Sequence, residues 1–136
     1  METITLDNDI TVFYVEAASY PDGILEAHES LHSLIPFSPE RKYFGISRPE
    51  NGEGIRYKAC AEEMHEGEGK ALNCGTVVLK KGTYVSIVLK DYLKDLPSVE
   101  RTFSQLLEHP GLDPQGYCVE WYITNKDMRC MIRLEN

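Results

Sequence analysis

The segment Gly116-Tyr-Cys-Val-Glu-Trp-Tyr-Ile-Thr124 predicts a β-strand that carries a carboxylate among aromatic and apolar residues. Side chains alternate across a strand, so Cys118, Glu120, Tyr122 and Thr124 share one face, whereas Tyr117, Val119, Trp121 and Ile123 share the other. Burying an unpaired carboxylate is costly, so Glu120 is expected to have a partner, a ligand or an acid/base task. The alternative is an edge-strand glutamate that points at water.

The composition is that of one globular domain over residues 1–136, with 42% hydrophobic and 26% charged residues. The longest apolar runs, 76–79 and 85–89, are too short to span a bilayer, and no leader opens the chain. We therefore expect a soluble, cytoplasmic protein with no membrane partner. The four cysteines form no Cys-x-x-Cys pair, so reduced thiols are expected rather than disulfides.

The net charge of −8 is concentrated in the first half of the chain. Residues 1–70 carry 14 acidic and 6 basic side chains, whereas residues 71–136 carry 8 of each. This balance excludes a conventional nucleic-acid surface, which needs clustered Lys and Arg, and favours a cationic ligand or a basic protein face. The densest acidic run, 62–68, is predicted to be a flexible, solvated connector.

The same order of elements, strand, helix, strand, strand, is predicted twice. The first repeat, about 1–68, has strands 10–17, 41–48 and 55–62, a helix capped by Asp22 that ends at Pro36, and a turn over 49–54. The second repeat, about 75–136, has a strand pair within 76–90, a helix with the stripe Val99, Phe103, Leu106 and Leu107, and strands 117–124 and 128–135. Tyr43 and Tyr117 correspond at an offset of 74, and Arg56 and Arg129 at an offset of 73.

The pattern predicts an α+β fold of duplicated β-α-β-β units. In it, an antiparallel sheet carries two helices on one face. A ligand groove is expected between the repeats, on the face that the helices leave uncovered, because junctions of repeats are favoured ligand sites.

The chain also resembles the GyrI-like small-molecule-binding domain, the effector-binding domain of bacterial transcription activators. The resemblance is carried by Gly82-Thr-Tyr-Val-Ser-Ile87, Phe103-Ser-Gln-Leu-Leu107, Tyr117-Cys-Val-Glu-Trp-Tyr122 and Asp127-Met-Arg-Cys-Met-Ile132, in that order. The first half matches more loosely, through Tyr43-Phe-Gly-Ile-Ser47 and Ile55-Arg-Tyr57.

The resemblance implies a role for Glu120 and Tyr122, on which the family's Glu and following Tyr fall. In drug-sensing members this Glu meets the positive charge of lipophilic cations within an aromatic pocket, and some members hydrolyse strained electrophilic rings. Trp121, between the two residues, departs from the pattern. The sequence also contains no helix-turn-helix segment. The resemblance therefore implies a stand-alone domain for multidrug binding, linked to transcription regulation only through a separate partner.

Aromatic side chains are the predicted lining of the pocket, because each ring attracts a cation by about 0.5–2 kcal/mol. Together with Glu120, the candidate ligand-binding residues are Tyr14, Tyr43, Tyr57, Tyr84, Tyr92, Trp121 and Tyr122. The sequence does not say which of these rings converge.

His28-Glu-Ser-Leu-His32 matches the zinc-protease motif H-E-x-x-H, on the predicted first helix. A zinc site needs a third ligand, and the remaining candidate, His65, lies in the acidic connector. His28 also shares the apolar stripe of Ile24, Leu31 and Ile35. The motif is therefore interpreted as a coincidence on an amphipathic helix, and neither a metal nor another cofactor is expected.

Three function classes follow from these residues, from the net charge and from the resemblance to GyrI-like domains. The first is a binding module for amphipathic, cationic small molecules. The second is a hydrolase of strained electrophiles, in which Glu120 and Tyr122 act as acid/base groups with water, since no nucleophile motif is present. The third is an inhibitor that binds a basic enzyme surface through the acidic half. Binding without turnover is the preferred prediction.

Overall fold

The computed structural model describes residues 1–50, 52 and 54–135, and these form one eight-stranded antiparallel sheet with three α-helices. Asn51 and Glu53, in the predicted turn 49–54, lie outside the described residues. The strands are β1 (Glu2–Leu6), β2 (Ile10–Glu16), β3 (Tyr43–Pro49), β4 (Ile55–Glu62), β5 (Gly75–Leu79), β6 (Gly82–Leu89), β7 (Cys118–Tyr122) and β8 (Met128–Arg133). The helices are α1 (Ile24–Leu34), α2 (Glu68–Ala71) and α3 (Pro97–Leu106), and a 3-10 turn covers Tyr92–Lys94.

The strand order, β1-β6-β8-β7-β3-β4-β2-β5, is symmetric about the central β3–β7 pair. Exchanging β1–β4 for β5–β8 reproduces the same order in reverse, which is the signature of a duplication with an approximate two-fold axis. The predicted β-α-β-β pattern is present in each half, and one further strand precedes it. That strand was predicted in the second half, whereas β1 was missed, because a five-residue strand at the sheet edge gives little periodic signal.

The sheet curls until its two edges approach each other. Edge strand β1 is linked to β2 by residues 7–9, and edge strand β5 is linked to β6 by residues 80–81. Such short links hold opposite ends of the strand order together, and the Lys81 amide donates to Asp9 Oδ1 at 2.8 Å. Ile4 and Leu6 of β1 accordingly pack in the same buried cluster as Leu79 of β5. The concave face therefore encloses its own core, which we call the inner core.

The convex face carries the helices. Helix α1 packs on β2 and β4, where Leu31 is buried with Phe13 and Ala59, and α3 packs on β6 and β8. No described helix is long and apolar enough to cross a bilayer. The α1 cap differs from the prediction: Gly23, not Asp22, occupies the N-cap position. A Cβ at residue 23 would lie 2.8 Å from the Ser19 carbonyl oxygen, so the chain turns there too tightly for a side chain.

The acidic segment 62–68 is structured, which corrects the prediction of a flexible connector. It leads into α2, where Arg41 donates to both carboxylate oxygens of Glu68, at 2.8 and 3.0 Å. Glu63 accepts a hydrogen bond from the Gly69 amide at 2.9 Å. These acidic side chains are therefore used in local contacts, which composition alone does not show.

The predicted correspondence between Tyr43 and Tyr117 is wrong. Tyr43 packs under α1 on the convex face, whereas Tyr117 packs against the inner core. Because side chains alternate across a strand, an offset of 74 pairs positions on opposite faces, and the repeat register differs by one residue. The prediction of reduced cysteines is consistent with the structure, in which all four are free.

The packing of α1 gives a stability prediction. Leu31 is fully buried, whereas Leu25 on the same helix is 70% exposed. We expect Leu31→Ala to lower the free energy of unfolding by about 2–5 kcal/mol, because it leaves a cavity in the core. Leu25→Ala, the matched control, should change it by less than about 0.5 kcal/mol. Urea denaturation of both variants checks this, and equal losses would contradict the placement of α1.

Candidate functional site

A groove of about 1560 Å³ runs between α1 and α3 on the convex face. It is larger than the roughly 300–1,000 Å³ of ordinary ligand pockets. The sequence predicted a groove on the face without helices, and that prediction is wrong. The curled sheet fills its concave face with the inner core, so the open space lies between the two helices.

Strand β7 forms the centre of the groove floor. It lies between β3 and β8, so Glu120 is not the edge-strand residue of the alternative interpretation. The predicted alternation is confirmed: Val119 and Trp121 pack in the inner core, whereas Cys118, Glu120 and Tyr122 face the groove.

Glu120 is hydrogen-bonded to two tyrosines through a single oxygen. The hydroxyl of Tyr57 donates to Oε1 at 2.8 Å, and the hydroxyl of Tyr122 donates to the same atom at 2.7 Å. The two hydroxyl oxygens are 3.1 Å apart. On their other side, His28 Nε2 lies 2.7 Å from the Tyr57 hydroxyl and 3.2 Å from the Tyr122 hydroxyl. We call these four side chains the Glu120 cluster.

A glycine makes this cluster possible. Tyr57 is on β4 and Glu120 is on β7, and β3 runs between them. Gly45 of β3 is paired directly with Glu120. A Cβ at residue 45 would lie 1.9 Å from the Tyr57 hydroxyl and 2.5 Å from Glu120 Oε1. The two side chains can therefore meet across β3 only because residue 45 has no side chain.

The second carboxylate oxygen of Glu120, Oε2, accepts no hydrogen bond from a described residue. Glu120 lines the groove and is partly buried. No Lys or Arg within the described ranges forms an ion pair with Glu120. Burial raises the pKa of this carboxyl, and the hydrogen bonds from Tyr122 and Tyr57 lower it in part.

The other members of the Glu120 cluster are uncharged at neutral pH. Burial, followed by the charge of His32, lowers the pKa of His28 to about 4. Burial and the neighbouring Glu120 carboxylate raise the pKa of Tyr57 and that of Tyr122 well above the ordinary value. Glu120 is consequently the single charge that the cluster can present to a ligand.

Aromatic and apolar side chains surround this charge. The ring of Tyr92 lies 6.1 Å from that of Tyr122, and Tyr20 stacks on Tyr57 at 6.3 Å. Phe37, which is 71% exposed, stacks on Tyr43 at 5.5 Å. The rim adds further exposed apolar side chains, from α1, from the residues that flank α3 and from the end of β7: Leu25, Leu93, Leu96, Leu107 and Ile123. The groove is thus lined mainly by apolar and aromatic side chains, with Glu120 at its floor; Asp22, Arg41, Arg48, Glu100 and Asp113 also line it.

The structure brings four of the predicted aromatic residues to this region, namely Tyr43, Tyr57, Tyr92 and Tyr122. It places the other three elsewhere. Trp121 packs on Phe44 in the inner core, and Tyr84 is 2% exposed and donates to the Lys80 carbonyl oxygen at 2.7 Å. Tyr14 lies beside the Lys58 amine, which is 5.2 Å from its ring centre. Each of these three belongs to the face opposite Glu120, because strand alternation directs it there.

The sequence did not identify His28 as a site residue. The available signal was its place on the apolar stripe of α1, which directs it to the sheet rather than to solvent. Its Nε2 atom lies within hydrogen-bond distance of the Tyr57 and Tyr122 hydroxyls. In the part of the chain that the structure describes, no group of three or more His, Cys, Asp or Glu residues is placed to hold a metal ion.

Two solved structures are similar to this chain in fold. An integron cassette protein from the mobile metagenome of Vibrio cholerae aligns with a TM-score of 0.75 at 11% identity, over 98% of this chain and 95% of the other. A hydrolase from Listeria innocua aligns with a TM-score of 0.60 at 10% identity, over 98% and 90% of the two chains. At these identities the likeness concerns the fold. No family model and no curated protein matches the sequence.

The raised pKa of Glu120 predicts how stability depends on pH. Well below pH 4.5 the carboxyl is protonated in both states; as pH rises, the unfolded chain ionises first, so the wild-type fold loses stability. Glu120→Gln removes this loss. We expect its melting temperature to equal or exceed that of the wild type at pH 7, with a smaller difference at pH 4. Calorimetry at both pH values measures the difference in melting temperature between Glu120→Gln and the wild type. A difference that favours the variant less at pH 7 than at pH 4 would contradict the prediction.

Proposed function

We propose that the groove binds amphipathic, cationic small molecules, as a sensor, buffer or resistance protein. The observation that carries the proposal is the Oε2 atom of Glu120, which has neither a hydrogen-bond donor nor a basic partner among the described residues, at the floor of a mainly apolar groove. In such surroundings a carboxylate attracts a cation more strongly than it would in water. The rings of Tyr92 and Tyr122 add cation–π attraction.

Several features support this assignment over a generic apolar pocket. The two tyrosine hydroxyls stabilise the ionised form of Glu120 from one side, while the other side stays available. The exposed rim offers apolar contact area on α1 and at the two ends of α3, which suits the body of an amphipathic ligand. The resemblance to GyrI-like domains, whose Glu and Tyr fall on Glu120 and Tyr122, points to the same ligand class.

The test compares a permanent cation with a neutral molecule of related shape. We expect Glu120→Gln to weaken binding of tetraphenylphosphonium by about 1.5–3 kcal/mol, the scale of a charge-assisted contact. This corresponds to roughly a tenfold to hundredfold higher Kd. Binding of neutral triphenylphosphine oxide should change little. Isothermal titration calorimetry measures both ligands, and an unchanged Kd for the cation in Glu120→Gln would refute charge recognition at this site.

A hydrolase is the second candidate, because burial raises the pKa of Glu120 and so makes it a better base. One structure of similar fold is described as a hydrolase. In this reaction Oε2 takes a proton from water as the water oxygen bonds to the carbon of a strained ring. The ring bond to the leaving atom breaks, and that atom receives the proton that Glu120 took from water, so the carboxylate is restored.

Styrene oxide in ¹⁸O-labelled water tests this second function. A hydrolase would release phenylethanediol carrying one ¹⁸O atom faster than buffer does, and Glu120→Gln would abolish the excess rate while apolar binding persists. A rate equal to that of buffer alone would leave Glu120 as a binding group for this substrate class.

A further inference from the structure

We propose that His28 is the positioning residue of the site: as the Nε2–H tautomer it donates to the Tyr57 hydroxyl, aims both tyrosine protons at Glu120 Oε1, and thereby keeps Glu120 charged with Oε2 as the ligand's acceptor. The link to a cationic ligand rests on the proposed function. The proton arrangement itself concerns the protein without ligand, and it can be tested alone.

The number of protons available to the Glu120 cluster limits how its hydrogen bonds can be arranged. The Glu120 cluster contains five short contacts, and each tyrosine hydroxyl has one proton to donate. Two donations to Oε1, from Tyr57 and Tyr122, use both hydroxyl protons. The contacts of His28 Nε2 with the two hydroxyl oxygens then require the proton to be on the histidine nitrogen. At 2.7 Å from Tyr57 and 3.2 Å from Tyr122, this N–H donates mainly to Tyr57.

The other tautomer gives a different charge state. If the proton were on Nδ1, Nε2 would be an acceptor, and the nearest donor is the Tyr57 hydroxyl at 2.7 Å. Tyr57 would then turn its proton away from Glu120. The carboxylate would keep one donor, from Tyr122, and would gain by taking a proton and donating it to the Tyr57 oxygen. The tautomer of His28 therefore decides whether the groove presents a charged or a neutral group.

Charged side chains also line the groove, namely Asp22, Arg41, Arg48, Glu100 and Asp113, but none of these described residues is hydrogen-bonded to the Glu120 cluster. The pKa of Glu120 is shifted by burial and by its hydrogen bonds with Tyr122 and Tyr57. His32 lies one turn along α1, Tyr20 and Tyr92 flank the two cluster tyrosines, and Cys118 faces the groove from β7. Burial raises the pKa of Cys118 to about 11 and that of Cys130, on β8, to about 12, so both thiols stay protonated. Burial lowers the pKa of His32 and raises those of Tyr20 and Tyr92. At neutral pH the proton arrangement is thus set within the Glu120 cluster.

The first experiment reads the tautomer directly, in the full-length protein without ligand. Long-range ¹H–¹⁵N NMR of ¹⁵N-histidine-labelled protein at pH 7 should show a neutral His28 with Nε2 protonated and Nδ1 unprotonated. The His28 signals are identified by their loss in His28→Gln. An Nδ1–H tautomer, or a charged imidazole, would overturn the proposal.

The second experiment follows Glu120 itself. The ¹³Cδ shift of Glu120, identified by its absence in Glu120→Gln, gives the pH midpoint at which the carboxyl titrates. His28→Leu keeps the apolar volume but removes the donor, so the midpoint should move upward by roughly 0.5–1 pH unit. His28→Gln retains an N–H donor and should move it less. Equal midpoints in the wild type and His28→Leu, with both variants folded by circular dichroism, would overturn the positioning role.

The third measurement separates this proposal from the proposed function. Tetraphenylphosphonium has no titratable group, so the pH dependence of its Kd belongs to the protein. As the pH is lowered, the affinity for tetraphenylphosphonium should fall because Glu120 takes up a proton. This fall should occur at a higher pH in His28→Leu than in the wild type, because the titration midpoint of the carboxyl is higher in the variant. If the cation does not bind but the tautomer and midpoint results hold, the cation assignment fails and the positioning role stands. If the cation binds with the same pH profile in both proteins, the positioning role fails.

Discussion

The contact of Tyr57 with Glu120 across Gly45 is the constraint on which the rest of the site depends. Two side chains from β4 and β7 meet over an intervening strand, and a Cβ at residue 45 would lie 1.9 Å from the Tyr57 hydroxyl. This contact is made at the symmetric centre of the sheet, where the two repeats join. It also fixes where α1 can place His28, because the imidazole closes the cluster from above. The absence of a side chain at Gly45 thus leaves the space in which the Glu120 carboxylate meets Tyr57.

Because the sheet curls, some aromatic residues pack in the inner core and others line the groove on the convex face. The concave face is consumed by the inner core, where Trp121, Tyr84 and Phe44 pack because the two sheet edges approach each other. The convex face is only partly covered, since α1 and α3 each sit on their own half and leave the central strands between them. Duplication thus explains both the groove and its position. Two helices related by the symmetry of the sheet cannot both cover its middle.

The electrostatics of the groove follow from its geometry rather than from net charge. The acidic side chains of the first half are largely used elsewhere, as in the pair of Arg41 with Glu68. At the centre of the groove floor, Glu120 has a carboxylate oxygen without a hydrogen-bond partner among the described residues, and burial raises the pKa of this carboxyl. Asp22, Glu100 and Asp113 also line the groove. A buried charge such as that of Glu120 is costly to the fold, which supports the proposal that Glu120 contacts a ligand.

The sequence by itself determined the faces of β7 and the positions of the two longer helices, although it missed β1 and α2. Alternation placed Glu120 and Tyr122 opposite Trp121, and helical spacing located α1 and α3, because both signals depend on residues close in the chain. Only the tertiary structure decided which rings converge on Glu120. Tyr57 and His28 are 63 and 92 residues away from it, and their approach depends on strand order, on Gly45 and on the curl of the sheet. The tertiary structure also decided which face holds the groove. Local periodicity indicates which residues share a face of the sheet, but it does not indicate which face becomes concave and is packed with the sheet's own side chains.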